Sequence, residues 1–441
     1  AADPFQSQDK QVTAKELLDK AANKIETNLN DQPEVKARLL EAIGEAYLNQ
    51  GQSQSAIQYL NQALQMQRKH LSDEHEKLQL IPVLNNLGRA YSDTGDFESA
   101  NQVLKEALDY YNDREFVSPG RLQTLINNGA LEIKASHLTA AQHYYEQALD
   151  VAQQLYGNKH TDTAGVLMSL AQVLIWQGNY SHAEPIFRQV VDIYHQQLPN
   201  RDPDRMLADL SHAEALYYLK QFAEASTLAN QVLFDQKTVF GNSNPQLINT
   251  YYILSELDLA TGQTNAAEQA ARKGLEIANN TLGDGNYMTA EMHSAVANVL
   301  IRKKQYGEAQ TEAALSLKEL QSELPPDHQY IASAEFLLAA ALTGLHRNAE
   351  AASLLQTNIE RWTRTGAPAW RAARSESLLG VILMRSGKVT EAGFALTHAF
   401  QMLSATNSGA DDEAENAARK RLVQYKHCMN EHHLGNCQIN E

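Results

Sequence analysis

Cysteine is almost missing from this 441-residue chain: Cys428 and Cys437 are the only two, both at the far carboxyl end. No disulfide framework or core metal site can therefore hold the fold together. Proline and glycine are scarce, at 11 and 22 residues, and aromatics make up 7 %. The β-branched runs of a sheet protein do not occur either. No apolar run approaches the roughly 20 residues needed to span a bilayer, so no direct membrane insertion is expected. The first ten residues, AADPFQSQDK, have the layout of neither a signal peptide nor a transit peptide. Positive charge is also short, with 37 Lys and Arg against 53 Asp and Glu and a net charge of −16. That balance counts against nucleic acid, whose binding rests on cations displacing counterions, and favours basic or neutral partners.

Helix formers are abundant. Ala, Leu, Gln, Asn and Glu dominate, which suits long helices with few interruptions. At this length a single core has stopped growing, so the chain is either several domains or a repeat array. Its polar start, without Met, reads as an excerpt from a longer protein with something upstream.

Self-similarity decides for the array. The motif is clearest in LNNLGRAYSDTGDFESANQVLKEAL, Leu84 to Leu108, and its small residue at position 20 recurs as Ala56, Ala100, Ala141, Ala183, Ala225, Ala267, Ala309, Ala351 and Ala392. The successive spacings are 44, 41, 42, 42, 42, 42, 42 and 41 residues. Ala there lets two helix backbones approach closely. Position 8 is also small throughout: Gly44, Gly88, Gly129, Ala171, Ala213, Ser255, Ala297, Ala339 and Gly380. Gly51, Gly95, Gly178, Gly262 and Gly387 mark a tight turn between the two helices of a unit. At Lys220, Lys304 and His346 the turn glycine is missing, and at Glu132 and Asp258 the usually large apolar position 11 is acidic.

From about residue 34 to 405 this pattern resembles the tetratricopeptide-repeat (TPR) family. The usual period is 34 residues, so each unit carries about eight extra, roughly two helical turns. The links Tyr156-Gly-Asn-Lys-His160, Phe240-Gly-Asn-Ser-Asn-Pro245 and Leu282-Gly-Asp-Gly-Asn286 resemble the kinesin light chain type of TPR, a subclass that binds peptides and adaptor proteins. The resemblance implies an all-α, right-handed superhelical solenoid of about nine antiparallel helix pairs. Residues 1–33 then form a linker and capping helix, 34–409 the array, 410–426 a carboxyl-terminal capping helix and 427–441 a Cys/His-containing tail.

The amino-terminal stretch, including Ala2-Asp3-Pro4 and DQPEVKARLLEAIGEAYLNQG from Asp31 to Gly51, resembles the segment where the TPR region of certain bacterial serine/threonine kinases begins. In that group a kinase domain and often one membrane-spanning helix come first, which implies a periplasmic domain of a membrane-anchored protein, with a cytoplasmic one as the alternative. Neither a glycine-rich phosphate loop nor a His-Arg-Asp or Asp-Phe-Gly motif is present, so this chain is read as non-catalytic. In the tail, Cys428, His432, His433 and Cys437 can be written as a zinc site, but C-x3-H-H-x3-C is not the C-x2–4-C and H-x3–5-H ligand spacing of structural zinc sites. A local Cys428–Cys437 disulfide and two free thiols are the other readings. No metal and no cofactor are assigned.

By the family's geometry, positions 2, 5, 9, 12 and 13 of each first helix face a concave groove. They are apolar in the middle units and polar at the amino-terminal end. The resemblance therefore implies a protein- or peptide-binding groove drawn from Asn85, Arg89, Asn127, Met168, Gln172, Trp176, Tyr217, Tyr218, Tyr252 and Asn298. The same stripe also suits packing between neighbouring hairpins. Glu45, Glu214 and Glu256 share position 9 as an acidic strip. No catalytic residue is assigned, since the 15 histidines are scattered over links, turns and tail. The function expected is a peptide- or protein-binding sensor module of a kinase signalling protein. The alternatives are a stand-alone peptide-responsive regulator and a self-associating scaffold, a homo-oligomer.

Overall fold

The computed structural model describes residues 14–29, 31–70, 76–111, 117–365, 367–405 and 412–430. Among the described residues the chain is all-α, with helices and one short 3-10 segment, Glu76–Leu80. A leading helix, α1 (Ala14–Asn28), precedes four hairpins: α2 (Pro33–Asn49) with α3 (Ser53–His70), α4 (Ile81–Asp93) with α5 (Phe97–Asp109), α6 (Pro119–Lys134) with α7 (Leu138–Tyr156), and α8 (Thr161–Trp176) with α9 (Tyr180–Gln197). Three more follow: α10 (Pro203–Tyr218) with α11 (Phe222–Phe240), α12 (Leu247–Ala260) with α13 (Thr264–Thr281), and α14 (Tyr287–Arg302) with α15 (Tyr306–Glu323). The last two hairpins are α16 (Gln329–Gly344) with α17 (Asn348–Arg364) and α18 (Ala369–Arg385) with α19 (Val389–Ala405), and α20 (Asp412–Asn430) closes the described chain. This is the all-α tetratricopeptide fold.

Each hairpin turns on one left-handed residue. Gly51, Gly95, Gly178, Gly262 and Gly387 have φ between 70° and 79°, and Ser136, Lys220, Lys304 and His346 hold the same place at 65°, 61°, 59° and 60°. The turn therefore keeps its geometry where the glycine is missing. Its hydrogen bonds explain why. The amide of the residue just before the second helix reaches back to the carbonyl of position 11, as in Arg347 N to Leu342 O (2.9 Å) and Gln263 N to Asp258 O (2.7 Å). Because that bond uses only backbone, an acidic Asp258 serves as well as Leu342.

The nine register alanines, Ala56 to Ala392, are all 0 % exposed. Position 8 abuts the residue sixteen places later. A β-carbon on Gly44, Gly88 or Gly380 would fall 2.5, 2.4 or 2.6 Å from Cγ of Leu60, Leu104 or Leu396, and one on Gly129 would fall 2.8 Å from the Tyr145 ring. In the middle of the array the sizes are exchanged: Ala213, Ser255 and Ala297 stand opposite the buried alanines Ala229, Ala271 and Ala313.

At several links the last residue caps the next helix. Asn286 Oδ1 accepts from Met288 N (2.9 Å), and the Nδ1 atoms of His160 and His328 accept from Asp162 N (3.2 Å) and Tyr330 N (3.3 Å). Burial pushes the His328 imidazole down to about 4, keeping that acceptor neutral.

The contacts divide the chain into two units, residues 1–133 with 143–155, and 134–142 with 156–441. In the first, α1 buries Ala22 in one core cluster with Leu40, Tyr47, Leu60 and Leu84, and Tyr47 donates its hydroxyl hydrogen to Asp19. In the second, α20 covers the end of the array with Ala414, Ala418 and Leu422. That helix runs to Asn430, four residues past the expected boundary at 426, and so takes in Cys428. His432, His433 and Cys437 lie outside the described residues, and with them the Cys428–Cys437 pairing.

Candidate functional site

The inner faces of the second unit enclose a cavity of 560 Å³, within the range of pockets that take a drug-sized ligand. Tyr217 and Tyr218 come from α10, Tyr252 and Glu256 from α12, and Ser294, Asn298 and Arg302 from α14. α16 adds Ser333 and Phe336, α17 adds Trp362, and α18 adds Trp370, Arg371, Arg374 and Ser375. Each successive first helix directs side chains inward, because the array stacks those helices side by side.

The far wall closes because the unit curls back on itself. The hairpin turn at Gly178 lies against the start of α18: a β-carbon on Gly178 would sit 3.1 Å from Pro368 Cγ and 3.7 Å from Trp370 Nε1. This brings the ninth hairpin to the fourth and fifth, across the groove.

The site is aromatic on one side and charged on the other. Tyr218 stacks on Tyr180 with ring centroids 4.5 Å apart, and Tyr217 meets Tyr218 edge-on at 5.2 Å. Glu256 accepts from Asn298 Nδ2 at 3.2 Å and from the Tyr217 hydroxyl at 3.5 Å. Burial pushes the Glu256 carboxyl up, against the pull of Asn298 and of Arg374 and Arg302. Opposite it, the Arg371 guanidinium lies between Trp362 (4.8 Å to the ring centroid) and Trp370 (5.2 Å), and Arg374 lies 4.1 Å over Phe336. Two more carboxylates stand at inner positions beyond the cavity wall. Burial raises Glu214 to about 7, opposed by a hydrogen bond from Gln172. It raises Glu291 to about 8, opposed by Tyr330 and reinforced by Glu214.

Behind the wall lies a buried polar network. Glu335 takes Arg361 Nη2 at 2.7 Å and Nε at 3.1 Å, Asn358 Nδ2 bonds Ala332 O at 2.6 Å, and Ser375 Oγ donates to Asn358 Oδ1 at 2.7 Å. It ties α16, α17 and α18 together under Trp362 and Ser375.

Of the residues assigned to a groove from sequence, the cavity brings together Tyr217, Tyr218, Tyr252 and Asn298. Met168 and Trp176 are half-buried beside Tyr180 and Tyr218 in one apolar cluster, and Gln172 bonds Glu214, but none of the three lines the cavity. The other three belong to the first unit. Asn127 Nδ2 donates to the carbonyl of Asn85 at 3.2 Å, Asn85 is buried, and Arg89 is exposed and bonds Asn49 Oδ1 at 2.9 Å. Beyond the assigned set, the cavity takes in Phe336, Trp362, Trp370, Arg371 and Arg374. Phe336 and Arg374 occupy positions 5 and 2, the same inward register that selected the others. Among the described residues, no group of three His, Cys, Asp or Glu side chains is placed to hold a metal ion, and no helix is long and apolar enough to cross a membrane.

Comparison with known proteins bears out the repeat. A family model, the tetratricopeptide repeat, matches residues 36–113 and 120–196. The left-handed turns and buried alanines carry the same geometry on through the ninth hairpin. Among curated proteins, the clustered mitochondria protein homolog of Candida albicans is 23 % identical over 165 residues, which covers 37 % of this chain. The chain's match spans only 12 % of that relative's length. Among solved structures, the apo form of the quorum sensor NprR from B. thuringiensis superposes with a TM-score of 0.55 at 14 % identity, covering 88 % of this chain and 98 % of that one. A Rap protein complexed with competence and sporulation factor gives 0.53 at 13 % identity, covering 81 % and 99 %. At these identities the likeness is one of fold.

Proposed function

We propose that this chain is a binding module, without catalysis of its own, which takes a short peptide segment of a partner into the cavity of its second unit. One observation carries the reading: the first helices α10, α12, α14, α16 and α18 together direct aromatic rings and polar groups into a single cavity of 560 Å³. Such a lining suits an extended segment, whose apolar side chains fill the aromatic wall while Asn298 and Glu256 bond its backbone. The solved Rap structure, a complex with competence and sporulation factor, is an instance of this fold holding a bound factor. A random peptide library displayed on phage and selected on the intact chain tests the reading. Ser333 is exposed on the cavity wall, so Ser333→Trp fills the space without touching the core. Selected peptides should lose this variant. Equal binding to both proteins would place recognition elsewhere.

We further propose that the module serves as the non-catalytic sensor part of a bacterial serine/threonine kinase signalling protein, on the periplasmic side of a membrane-anchored chain. Support for this comes from the resemblance of the stretch around Asp31 to Gly51. A coding sequence upstream that lacks a kinase domain would remove this reading and leave the stand-alone regulator.

A further inference from the structure

The seam between the fourth and fifth hairpins carries two reciprocal histidine–carboxylate pairs. His195 of α9 donates from Nε2 to Asp209 of α10, at 2.8 Å from Oδ1 and 3.1 Å from Oδ2, and His212 of α10 donates from Nε2 to Glu184 of α9 at 3.1 Å. His212 and Glu184 are buried. Later seams are bridged by cations that keep their charge at neutral pH, as in Lys303 with Glu268 and Arg272 with Glu308, both at 2.6 Å. Imidazole is the side chain whose charge changes between about pH 5 and 8. The charged groups around the two rings are Glu184 and Arg188 from α9 and Asp209 and Arg205 from α10. Asp204 of α10, Asp162 of α8 and Asp202 of the link act on Tyr194, the neighbour of His195. From α11 and α12, Asp235 bonds Arg201, Lys237 lies over Tyr251 and Glu256 accepts from Asn298, all directed elsewhere. Burial pushes the Asp209 carboxyl up, opposed by His195, Arg205 and His212, so its charge leans on those cations.

This seam carries the hairpin that closes the unit. A β-carbon on Gly51, Gly95, Gly262 or Gly387 would meet nothing within 4 Å, whereas on Gly178 it would lie 3.1 Å from Pro368 Cγ and 3.7 Å from Trp370 Nε1. Gly178 belongs to the turn between α8 and α9, and Glu184 stands near the start of α9, just beyond it. α9 has 18 residues. At about 27 Å of length, a tilt of a few degrees displaces its end by about 1–2 Å, enough to open a van der Waals contact.

We propose that the α9–α10 seam is a pH-sensitive hinge: with His195 and His212 protonated, the fourth hairpin is held against the fifth and its turn closes on Pro368 and Trp370, and with both neutral that closure loosens. The closed arrangement sets each imidazolium against a carboxylate. It therefore binds protons more tightly than the loosened one and gains weight as pH falls, until the carboxylates themselves protonate. The cavity behind the turn is thereby more enclosed in mildly acidic than in mildly alkaline surroundings.

The test uses the full chain with its 3 tryptophans replaced by fluorotryptophan. The fluorine resonance of Trp370, assigned by its loss in Trp370→Phe, is followed from about pH 5.5 to about pH 8.5, across the imidazole range. A hydrogen bond to a charged group outweighs a neutral one by about fivefold in an equilibrium, so the closed-to-loosened ratio should fall about fivefold for each pair as pH rises. The double variant His195→Gln with His212→Gln, folded by circular dichroism, should leave the Trp370 resonance insensitive to pH. Glu291→Gln, which removes a groove carboxylate that titrates at about 8, should keep the response. His195→Lys, with a charge that persists, should hold the closed resonance further into the alkaline range. If the double variant does not fold, the half-exposed His195→Gln alone should remove about fivefold of the change. A Trp370 resonance that does not move with pH, one that moves equally in the His→Gln variants, or a response abolished by Glu291→Gln would overturn the hinge.

Discussion

Gly88 lies so close to Leu104 that a β-carbon on it would fall 2.4 Å from Leu104 Cγ. The same hairpin position is filled the other way round by Ala213 opposite Ala229, so the pair shares one fixed volume. Alanine is the better helix former by up to about 1 kcal/mol, but overpacking by a full carbon costs about 1–3 kcal/mol, and at this distance the clash wins. Gly88→Ala should therefore destabilise the second hairpin. Leu104→Ala alone leaves a cavity and costs about 2–5 kcal/mol. The double variant should be at least about 1 kcal/mol more stable than the sum of the two losses, read by native-state hydrogen exchange of α4 and α5.

At the hairpin turns the sign reverses. Lys304 and His346 are exposed and hold φ of 59° and 60°, a conformation that disfavours a side chain by about 1–2 kcal/mol. Lys304→Gly and His346→Gly should each raise the stability of their own hairpin by about 1 kcal/mol, measured from urea midpoints. Destabilisation would mean that the side chain, and not the backbone, holds the turn.

The enclosed carboxylates set a pH dependence. Glu214 titrates at about 7 and Glu291 at about 8 in the fold, against an ordinary value near 4.3 in the unfolded chain. Between those limits the folded state binds more protons than the unfolded state. Stability from these groups is therefore fully present below about pH 4.3 and is lost as pH rises through 7 and 8. Glu291→Gln stays uncharged, so its melting temperature should fall less than that of the wild type between pH 6 and 9, with the largest advantage at the alkaline end.

The Glu335–Arg361 network supports the cavity wall from behind. Glu335→Ala leaves the Arg361 charge enclosed and should cost about 3–5 kcal/mol. Since Trp362 follows Arg361 directly, Trp362 fluorescence should shift as well.

The fold was almost fully legible because it repeats. A small residue every 42 places, as from Ala183 to Ala225, identified each helix crossing, and the register carried the turns through Lys220 and His346 without their glycine. Backbone hydrogen bonds set that turn, so the missing residue type did not matter. The site was legible only in part. Inward register picked out Tyr217, Tyr218, Tyr252 and Asn298, which the cavity brings together. It could not show that the unit curls until Gly178 meets Pro368 and Trp370, since pitch follows from small angles summed over many hairpins. Trp370, Arg371 and Arg374, some 150 residues along from Tyr217 and Tyr218, reach them only through that curl. Trp176 marks the converse case: it has the inward register but spends its ring in an apolar cluster with Tyr180 and Phe187.

The most direct measurement is calorimetric titration of a library-selected peptide into the wild type, Ser333→Trp and Phe336→Ala, all shown to be folded. Saturable one-to-one binding to the wild type is expected, with Ser333→Trp abolishing it and Phe336→Ala weakening it at least about tenfold, the loss of roughly 1.4 kcal/mol for one buried aromatic anchor. Unchanged affinity in both variants would contradict it.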